Sequence, residues 1–511
     1  MSSMMVSMDK GGIRVNSPAG RWILFTTVLG SGMAFLDSTV VNVALPKLGE
    51  DLGASMSGLQ WTVNAYTLTL AGLILLGGSL GDRYGRRKIF VIGVIWFAVA
   101  SALCGLAPNI QTLVLARALQ GIGGALLTPG SLAIIQSSFA REDRPRAVGA
   151  WSGLGGVAGA IGPLLGGWLV ETAGWRWVFL INLPIAALVV ATAVRHVPET
   201  RDETTTGRFD VLGAALAALA LAGLTYGLIE RGSPVPLVAA VAGVALGVAF
   251  VMLEARRSRG GPVSPLVPVR VFASREFTAV NVVTLIMYAA MGVVFFLLVV
   301  ELQVAAGFSP IAAGCSMLPV MLLMLLLSPR AGDLGRRIGP RLPMTVGILV
   351  CASGLLLMSR VGPGSSYLVD VLPAVTLFGL GLSAAVAPLT ATVLATAEER
   401  YAGVASGVNN AVARTGSLLA VAAIPPLVGL TGAAYTSPVA FTSGFRTAML
   451  VSAAMMVCAA VLTFVTIRTN ALREPERKTA CELGAPPLEP CEPGEETGAG
   501  APGARPTSRP G

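Results

Sequence analysis

Runs of about twenty apolar residues recur from one end of this chain to the other, and no other feature limits its fold as strongly. Fourteen stand out, at about 22–45, 59–81, 89–107, 110–137, 147–170, 175–195, 209–229, 234–254, 276–302, 308–329, 342–361, 366–396, 402–431 and 443–468. A helix needs about 20 apolar residues to cross the hydrocarbon core of a bilayer. A closed β-barrel would instead show strands of about 10 residues with alternating polarity, and these runs are too long and too evenly apolar. The 511 residues are 54% hydrophobic and only 12% charged, with mean hydropathy +0.74. A soluble chain of this length carries far more surface charge. The prediction is an all-α polytopic membrane protein with 14 transmembrane helices.

The basic residues orient it. With the N-terminus in the cytoplasm, most of the 36 Lys and Arg residues fall in cytoplasmic segments. The outer side then holds Lys47, Arg176, Arg231, Arg360 and Arg446, and the spans hold Arg117 and Arg414. That bias predicts a multi-pass protein with both termini cytoplasmic. It accounts for the net charge of +9 as a basic face toward anionic lipid, with no nucleic acid involved. The first apolar run is too long for a signal h-region and lacks an A-x-A site, so no cleaved leader is expected. Cys104, Cys315, Cys351 and Cys458 lie within spans, and Cys481 and Cys491 lie in the tail. No C-x-x-C pair occurs, so neither a disulfide nor a zinc site is expected. From about Glu474 the tail is rich in Pro, Gly and Glu, a composition that predicts disorder.

Three classes compete: a primary pump, a secondary transporter, and a membrane-embedded enzyme or channel. An ATP-driven pump with its own nucleotide site would carry G-x-x-x-x-G-K-[ST]. None of the four lysines, Lys10, Lys47, Lys88 and Lys478, follows a glycine. An intramembrane hydrolase would need clustered His, Cys or paired carboxylates, and the single histidine, His196, sits at the end of a span. An internal repeat favours a transporter. "GSLGDRYGRR" (Gly78 to Arg87) and "GDLGRRIGPR" (Gly332 to Arg341) share six of ten positions, in loops after spans 2 and 10. An offset of eight spans implies two six-helix bundles with two helices, 7 and 8, inserted between them. The organisation is then a cytoplasmic N-terminus (1–21), a first bundle (22–195), linkers and inserted helices (196–275), a second bundle (276–469) and a tail (470–511).

Several stretches together resemble one family. "LDSTVVNVALP" in span 1, "GSLGDRYGRRK" in loop 2–3, "LARALQGIGGALLTPGS" in span 4, "GAIGPLLGG" in span 5 and "WRWVFLINLPI" at span 6 are similar to signatures of the major facilitator superfamily. The match is specifically to its fourteen-span drug:proton antiporter branch, the bacterial antibiotic and multidrug resistance exporters. Two positions depart from the pattern. Arg336 stands where the first repeat has Asp82, and Ala158 stands where span 5 usually has glycine.

The resemblance implies roles that the residues themselves support in part. Asp37 lies about 22 Å and Arg117 about 20 Å from the cytoplasmic edge at 1.5 Å per residue. Charges at that depth are costly, so both should face the interior, where they can pair. Proton coupling is expected of Asp37 and Arg117; a purely structural ion pair is the alternative. The loop Gly78, Gly81, Asp82, Arg83, Gly85, Arg86 and Arg87 is implied to latch the cytoplasmic gate, against the plainer reading of a topology signal. With Arg336 in place of the acid, the second latch should be degenerate. In span 5, Gly159, Gly162, Gly166 and Gly167 should lie mostly on one face and permit tight helix contact, with Pro163 preventing a regular helix. Expected pocket residues are Asn42, Asn64, Tyr66, Gln120, Tyr288, Asn409, Asn410 and Arg414.

The function implied is proton-coupled export of an amphipathic drug across the inner membrane by a monomer. It needs no cofactor and no metal and draws on the proton gradient, with the drug, protons and the bilayer as partners. A proton-coupled permease importing a metabolite shares the fold and the loop motif, but the span 5 motif marks exporters.

Overall fold

The computed structural model describes residues 12–201, 210–230, 232–259, 263, 265–396, 402–432, 437–469 and 471–472. Every one of the fourteen apolar runs is helical. In chain order the helices are α1 (Pro18–Asp51), α2 (Met56–Tyr84), α3 (Arg86–Gly105), α4 (Ile110–Ser138), α5 (Arg144–Thr172), α6 (Trp177–His196) and α7 (Val211–Ile229). They continue with α8 (Val235–Arg257), α9 (Arg275–Val304), α10 (Pro310–Ile338), α11 (Arg341–Met358), α12 (Tyr367–Ala395), α13 (Ala402–Leu427) and α14 (Pro438–Thr466). Among the described residues, twelve are long and apolar enough to cross a membrane, all but α5 and α13. Those two run for 29 and 26 residues but carry more Gly, Asn and Arg. The expected tail from 473 onward and the linker 202–209 lie outside the described residues.

Local chemistry sets the helix ends. Ser17 caps α1 by accepting from the Gly20 N–H at 3.0 Å, with Pro18 in the first turn. Asn109 caps α4 by accepting from the Thr112 N–H at 2.9 Å. Such caps satisfy the orphan donors of a first helical turn. The two loop repeats stop their helices alike: Gly85 ends α2 at φ +110° and Gly339 ends α10 at φ +89°. A side chain is strained in that region, so the glycine is what permits the turn. Residues 12–17 double back at this end: the Ile13 N–H donates to the Ser138 carbonyl at 2.9 Å, and the Ala140 N–H donates to the Ile13 carbonyl at 3.1 Å.

Helix α5 corrects one expectation. It runs through Pro163 without a break. A membrane helix tolerates an internal proline because neighbouring helices and small adjustments re-satisfy the freed carbonyl, and Pro46, Pro129 and Pro388 sit inside helices here as well.

Packing relies on small residues, because lipid tails offer side chains as apolar a setting as a protein core does. Helices α2 and α3 pack on α4, and α1 packs on α5 and α6; α9 packs on α13 and α14, and α11 packs on α12 and α14. A Cβ at Gly123 would lie 2.6 Å from the Phe97 backbone N, and one at Gly354 would lie 2.7 Å from the Phe378 backbone N. The pair α7 and α8 is held by the same device: Cβ atoms at Gly223 and Gly227 would lie 2.6 Å from the carbonyls of Ala239 and Pro236. Helix α7 in turn contacts α2 and α13. On α8, Leu237, Val241, Val244, Val248 and Val251 stay exposed, a stripe suited to lipid.

The first six helices meet the last six at the end opposite Tyr84 and Arg86. There Gln60 Nε2 donates to the carbonyls of Val421 (2.6 Å) and Ala422 (3.1 Å). Gln303 Nε2 donates to the Val43 carbonyl at 3.0 Å, and the Met56 N–H donates to the Gly432 carbonyl at 2.9 Å.

Candidate functional site

Midway along α1, Asp37 is fully buried, and α4 brings the equally buried Arg117 to it. Arg117 Nη1 lies 2.6 Å from Asp37 Oδ2. The other carboxylate oxygen accepts from Gln120 Nε2 at 2.8 Å and from Asn182 Nδ2 at 3.2 Å. Both amides also donate to Ser101 Oγ, at 3.1 and 3.0 Å, and that hydroxyl donates to the Phe179 carbonyl at 2.9 Å. Arg117 spends Nε on the Thr62 carbonyl at 3.0 Å and shares Nη1 with Gln120 Oε1 at 2.6 Å. Its guanidinium lies over the Tyr66 ring, 4.4 Å from the centroid. Five helices thus contribute to one bonded cluster around Asp37. A buried ion pair is sustained only when hydrogen bonds satisfy what remains of both groups, and here both oxygens of Asp37 are engaged.

The depth reading of Asp37 and Arg117 agrees with this geometry. Gln120, expected to line a pocket, is instead spent on Asp37, because its position one turn after Arg117 points both side chains the same way. Asn182 and Ser101 went unassigned. Asn182 stands inside the stretch "FLINLPI", where a lone amide among apolar residues is a signal of the same kind as Asp37. Ser101 gives no such signal, since small hydroxyls are common in membrane helices.

At the α2–α3 junction, Asp82 accepts from Arg86 Nε at 2.9 Å and pairs with its Nη2 at 2.8 Å. Arg87 Nη1 donates to the Val197 carbonyl at 3.0 Å. Glu199 accepts from the backbone N–H groups of Arg87 and Lys88 at 3.1 and 3.2 Å. This carboxylate at the N-terminus of α3 lies in a segment read only as a polar linker. Arg83 has a partner of its own, and Gly78 faces Pro129 of α4, where a Cβ would lie 3.6 Å away. In the second repeat, on the last turns of α10, Arg336 pairs with Asp333, and both side chains are well exposed. An acid is therefore present there, one turn before the arginine, but in water.

The glycines of α5 lie mostly on one face, with Gly167 as the exception. Gly162 packs against Thr39, and Gly166 against Val40, both on α1. Gly167 turns to α10, where a Cβ would lie 2.6 Å from the Pro310 carbonyl oxygen and Ile311 Cα. Gly159 meets nothing within 4 Å. The successive residues Gly166 and Gly167 point about 100° apart on a helix, so one tight contact became two. On α10, Gly314 answers by packing against the Pro163 carbonyl.

The remaining pocket residues divide. Asn409 Nδ2 donates to Asn281 Oδ1 at 3.2 Å and Thr284 Oγ1 at 2.9 Å, locking α13 to α9. Asn42 Nδ2 donates to the Ser38 carbonyl at 3.3 Å within its own helix. Asn64 is buried with neither amide atom bonded. Asn410 is exposed. Tyr66 on α2 and Tyr288 on α9 are each electrostatic neighbours of Arg414 on α13, the helix that packs on both. His196 stacks on Trp22 with ring centroids 4.6 Å apart. Cys104, Cys315, Cys351 and Cys458 are free thiols, and the expected positions Cys481 and Cys491 lie outside the described residues.

A helical membrane fold with a buried acid–arginine centre belongs to the class of secondary transporters. Residues 27–421 match the Major Facilitator Superfamily, and the chain belongs to that superfamily, within its drug-exporting branch. It is 34% identical to the puromycin resistance protein pur8 of Streptomyces alboniger, over 92% of this chain and 96% of that one. It is 34% identical to the methylenomycin A resistance protein of Bacillus subtilis, over 82% and 90% of the two chains. The tetracenomycin C resistance and export protein of Streptomyces glaucescens is also 34% identical, over 79% and 75%. A crystal structure of a POT family transporter in complex with 5-aminolevulinic acid shares the fold with TM-score 0.69 at 12% identity, covering 90% of this chain and 99% of that one. A bacterial homologue of the human lysosomal transporter Spinster, inward-facing and occupied, shares it with TM-score 0.62 at 17% identity, covering 89% and 98%. The protein is a multi-pass drug exporter that confers resistance, and it is not an enzyme.

Proposed function

We propose that this exporter is a proton-coupled antiporter of the bacterial cytoplasmic membrane, acting as a monomer with both termini in the cytoplasm. In this reading fourteen helices cross the membrane. Helices α1–α6 and α9–α14 form two six-helix bundles, and α7 and α8 are inserted between them. The cargo is an amphipathic drug or antibiotic, in keeping with the names of the relatives, and the energy comes from the proton gradient without a cofactor.

The observation that carries the reading is the state of Asp37: fully buried, paired with Arg117, and bonded on both oxygens. Its helix, α1, also meets α9. While Asp37 is ionised the centre is neutral and tightly bonded. A proton on either oxygen leaves Arg117 buried without its anion and places an O–H where Arg117, or the amides of Gln120 and Asn182, now donate. The centre then has to rearrange, and helices α1, α2, α3, α4 and α6 all report to it. Protonation is thereby tied to a shift of helices. The bonds of Gln60 and Gln303 close the end opposite the basic loops, which this topology makes the outer end, so the described state faces inward. Asp82 with Arg86, and Glu199 with Arg87 and Lys88, hold the inner-side loop in place, and this loop latches the gate when that side closes. The glycine contacts of α5 with α1 and α10 close the path against leak.

The test is a drug-susceptibility panel in a pump-deficient host, followed by efflux of the drug it identifies. Efflux should collapse with a protonophore and persist when ATP is depleted while the gradient is held. Efflux that follows ATP instead overturns the reading.

A further inference from the structure

Among the described residues the buried carboxylates have an answering group, whereas Arg414, half-buried in mid-span, has no acid paired with it. Asp37 is paired with Arg117 and Asp210 with Arg257. Glu254 accepts from the Val267 N–H at 2.7 Å, and Glu301 accepts from Thr442 Oγ1 at 2.6 Å. Arg414 has no carboxylate within ion-pair distance among the described residues, and its Nε is closed off and bonded to nothing. It lies about 18 Å along α13 from the start of that helix, near the middle of the membrane. A cation at that depth is costly, and a guanidinium there serves a partner more often than it stands alone.

Arg414 cannot readily move toward an interface. Asn409 ties α13 to α9, Gln60 ties it to α2, and Gly416 sits against the Leu285 carbonyl. Its electrostatic neighbours are the phenols of Tyr66 on α2 and Tyr288 on α9. Neither phenol hydroxyl makes a hydrogen bond in the described structure, so both are free to donate. Tyr66 is an electrostatic neighbour of both arginines, and Arg117 stacks on its ring. The setting therefore offers a planar fork of N–H donors, two O–H donors and no free acid. Those groups match an oxygen anion and repel a cation.

We infer that Arg414, with Tyr66 and Tyr288, is the recognition point for an acidic group on the cargo, so that the preferred drug carries a carboxylate or a phenolate. This rests on the export reading only for the statement that a cargo reaches the centre; the proton is handled separately, at Asp37. Arg414 binds the cargo and sets specificity.

The experiment measures equilibrium binding to the purified full chain in nanodiscs, so it does not depend on export. Three fluorescent probes share one apolar body: 1-pyrenebutyrate (anion), 1-pyrenebutyramide (neutral) and 1-pyrenemethylamine (cation). The native chain should bind the butyrate at least about tenfold tighter than the amide, as expected for a charge-assisted contact, and the amine weakest. Arg414→Gln should erase the butyrate preference while amide binding persists, which also shows that the variant is folded. Arg414→Lys should keep part of the preference, because the charge stays and the fork is lost. Equal binding of the three probes by the native chain overturns the proposal, as does undetectable butyrate binding or a butyrate preference that survives Arg414→Gln. A chain that prefers the butyrate yet gives no proton-driven efflux would instead sink the export mechanism and leave this site standing.

Discussion

Asp37→Asn separates a proton carrier from a structural ion pair. The native carboxylate accepts three hydrogen bonds, from Arg117 at 2.6 Å, Gln120 at 2.8 Å and Asn182 at 3.2 Å. An amide fills the same volume but has one acceptor oxygen and brings two donors. Whichever way it turns, its NH2 faces either the Arg117 guanidinium or the amides of Gln120 and Asn182. Either way Arg117 loses its anion, and its other acceptors are the Thr62 carbonyl and Gln120 Oε1. Removing one partner of a buried pair costs about 3–5 kcal/mol, and the variant should lose stability of that order. In everted vesicles with an imposed pH gradient, uphill uptake of the drug should vanish, while downhill exchange remains because the amide resembles a permanently protonated acid. The double variant Asp37→Asn, Arg117→Met removes the orphaned charge. Replacing both members of a buried pair with uncharged groups is often neutral or stabilising, so thermal stability should recover without any return of uphill transport. Uphill uptake at the native rate by Asp37→Asn, or its return in the double variant, would refute the carrier role.

The two loops should respond unequally. Asp82→Asn removes a contact that Arg86 makes with two nitrogens in a partly covered setting, and should slow initial efflux at least about tenfold. Arg336→Gln breaks an exposed pair and should stay within about twofold of native; equal losses at matched expression would mean that the loops are equivalent. Gly167→Val would drive a side chain into the backbone of Pro310 and Ile311, costing the described state about 1–3 kcal/mol. Cross-linking between cysteines at positions 43 and 303 should fall in that variant, and an unchanged yield would show that the α5–α10 contact does not hold this end shut. Glu199→Gln should lower stability by about 0.5–2 kcal/mol through weakened capping of α3, read as a drop in thermal unfolding temperature; no drop would remove Glu199 from the inner latch.

The sequence by itself determined the helices, because in a bilayer the length and evenness of an apolar run decide whether a segment is helical. The repeat was likewise legible. A glycine stop is a local backbone requirement, and Gly85 and Gly339 turn alike for that reason. The depth of Asp37 and Arg117 could be counted along the chain, since rise per residue is constant, and their meeting followed from the cost of burying either one alone. The partners of that pair were decided by tertiary structure. Gln120, Asn182 and Ser101 reach Asp37 through the packing of α3, α4 and α6 against α1, and no local pattern marks a serine as a second-layer donor. The contacts of the α5 glycines were settled the same way, by which helix came to lie opposite each one. Arg414 shows the division most plainly. The sequence placed a cation in a span, but only the arrangement of α2, α9 and α13 gave it two tyrosines as neighbours and no paired acid among the described residues, because the pairing of a charge in the membrane depends on which helices surround it.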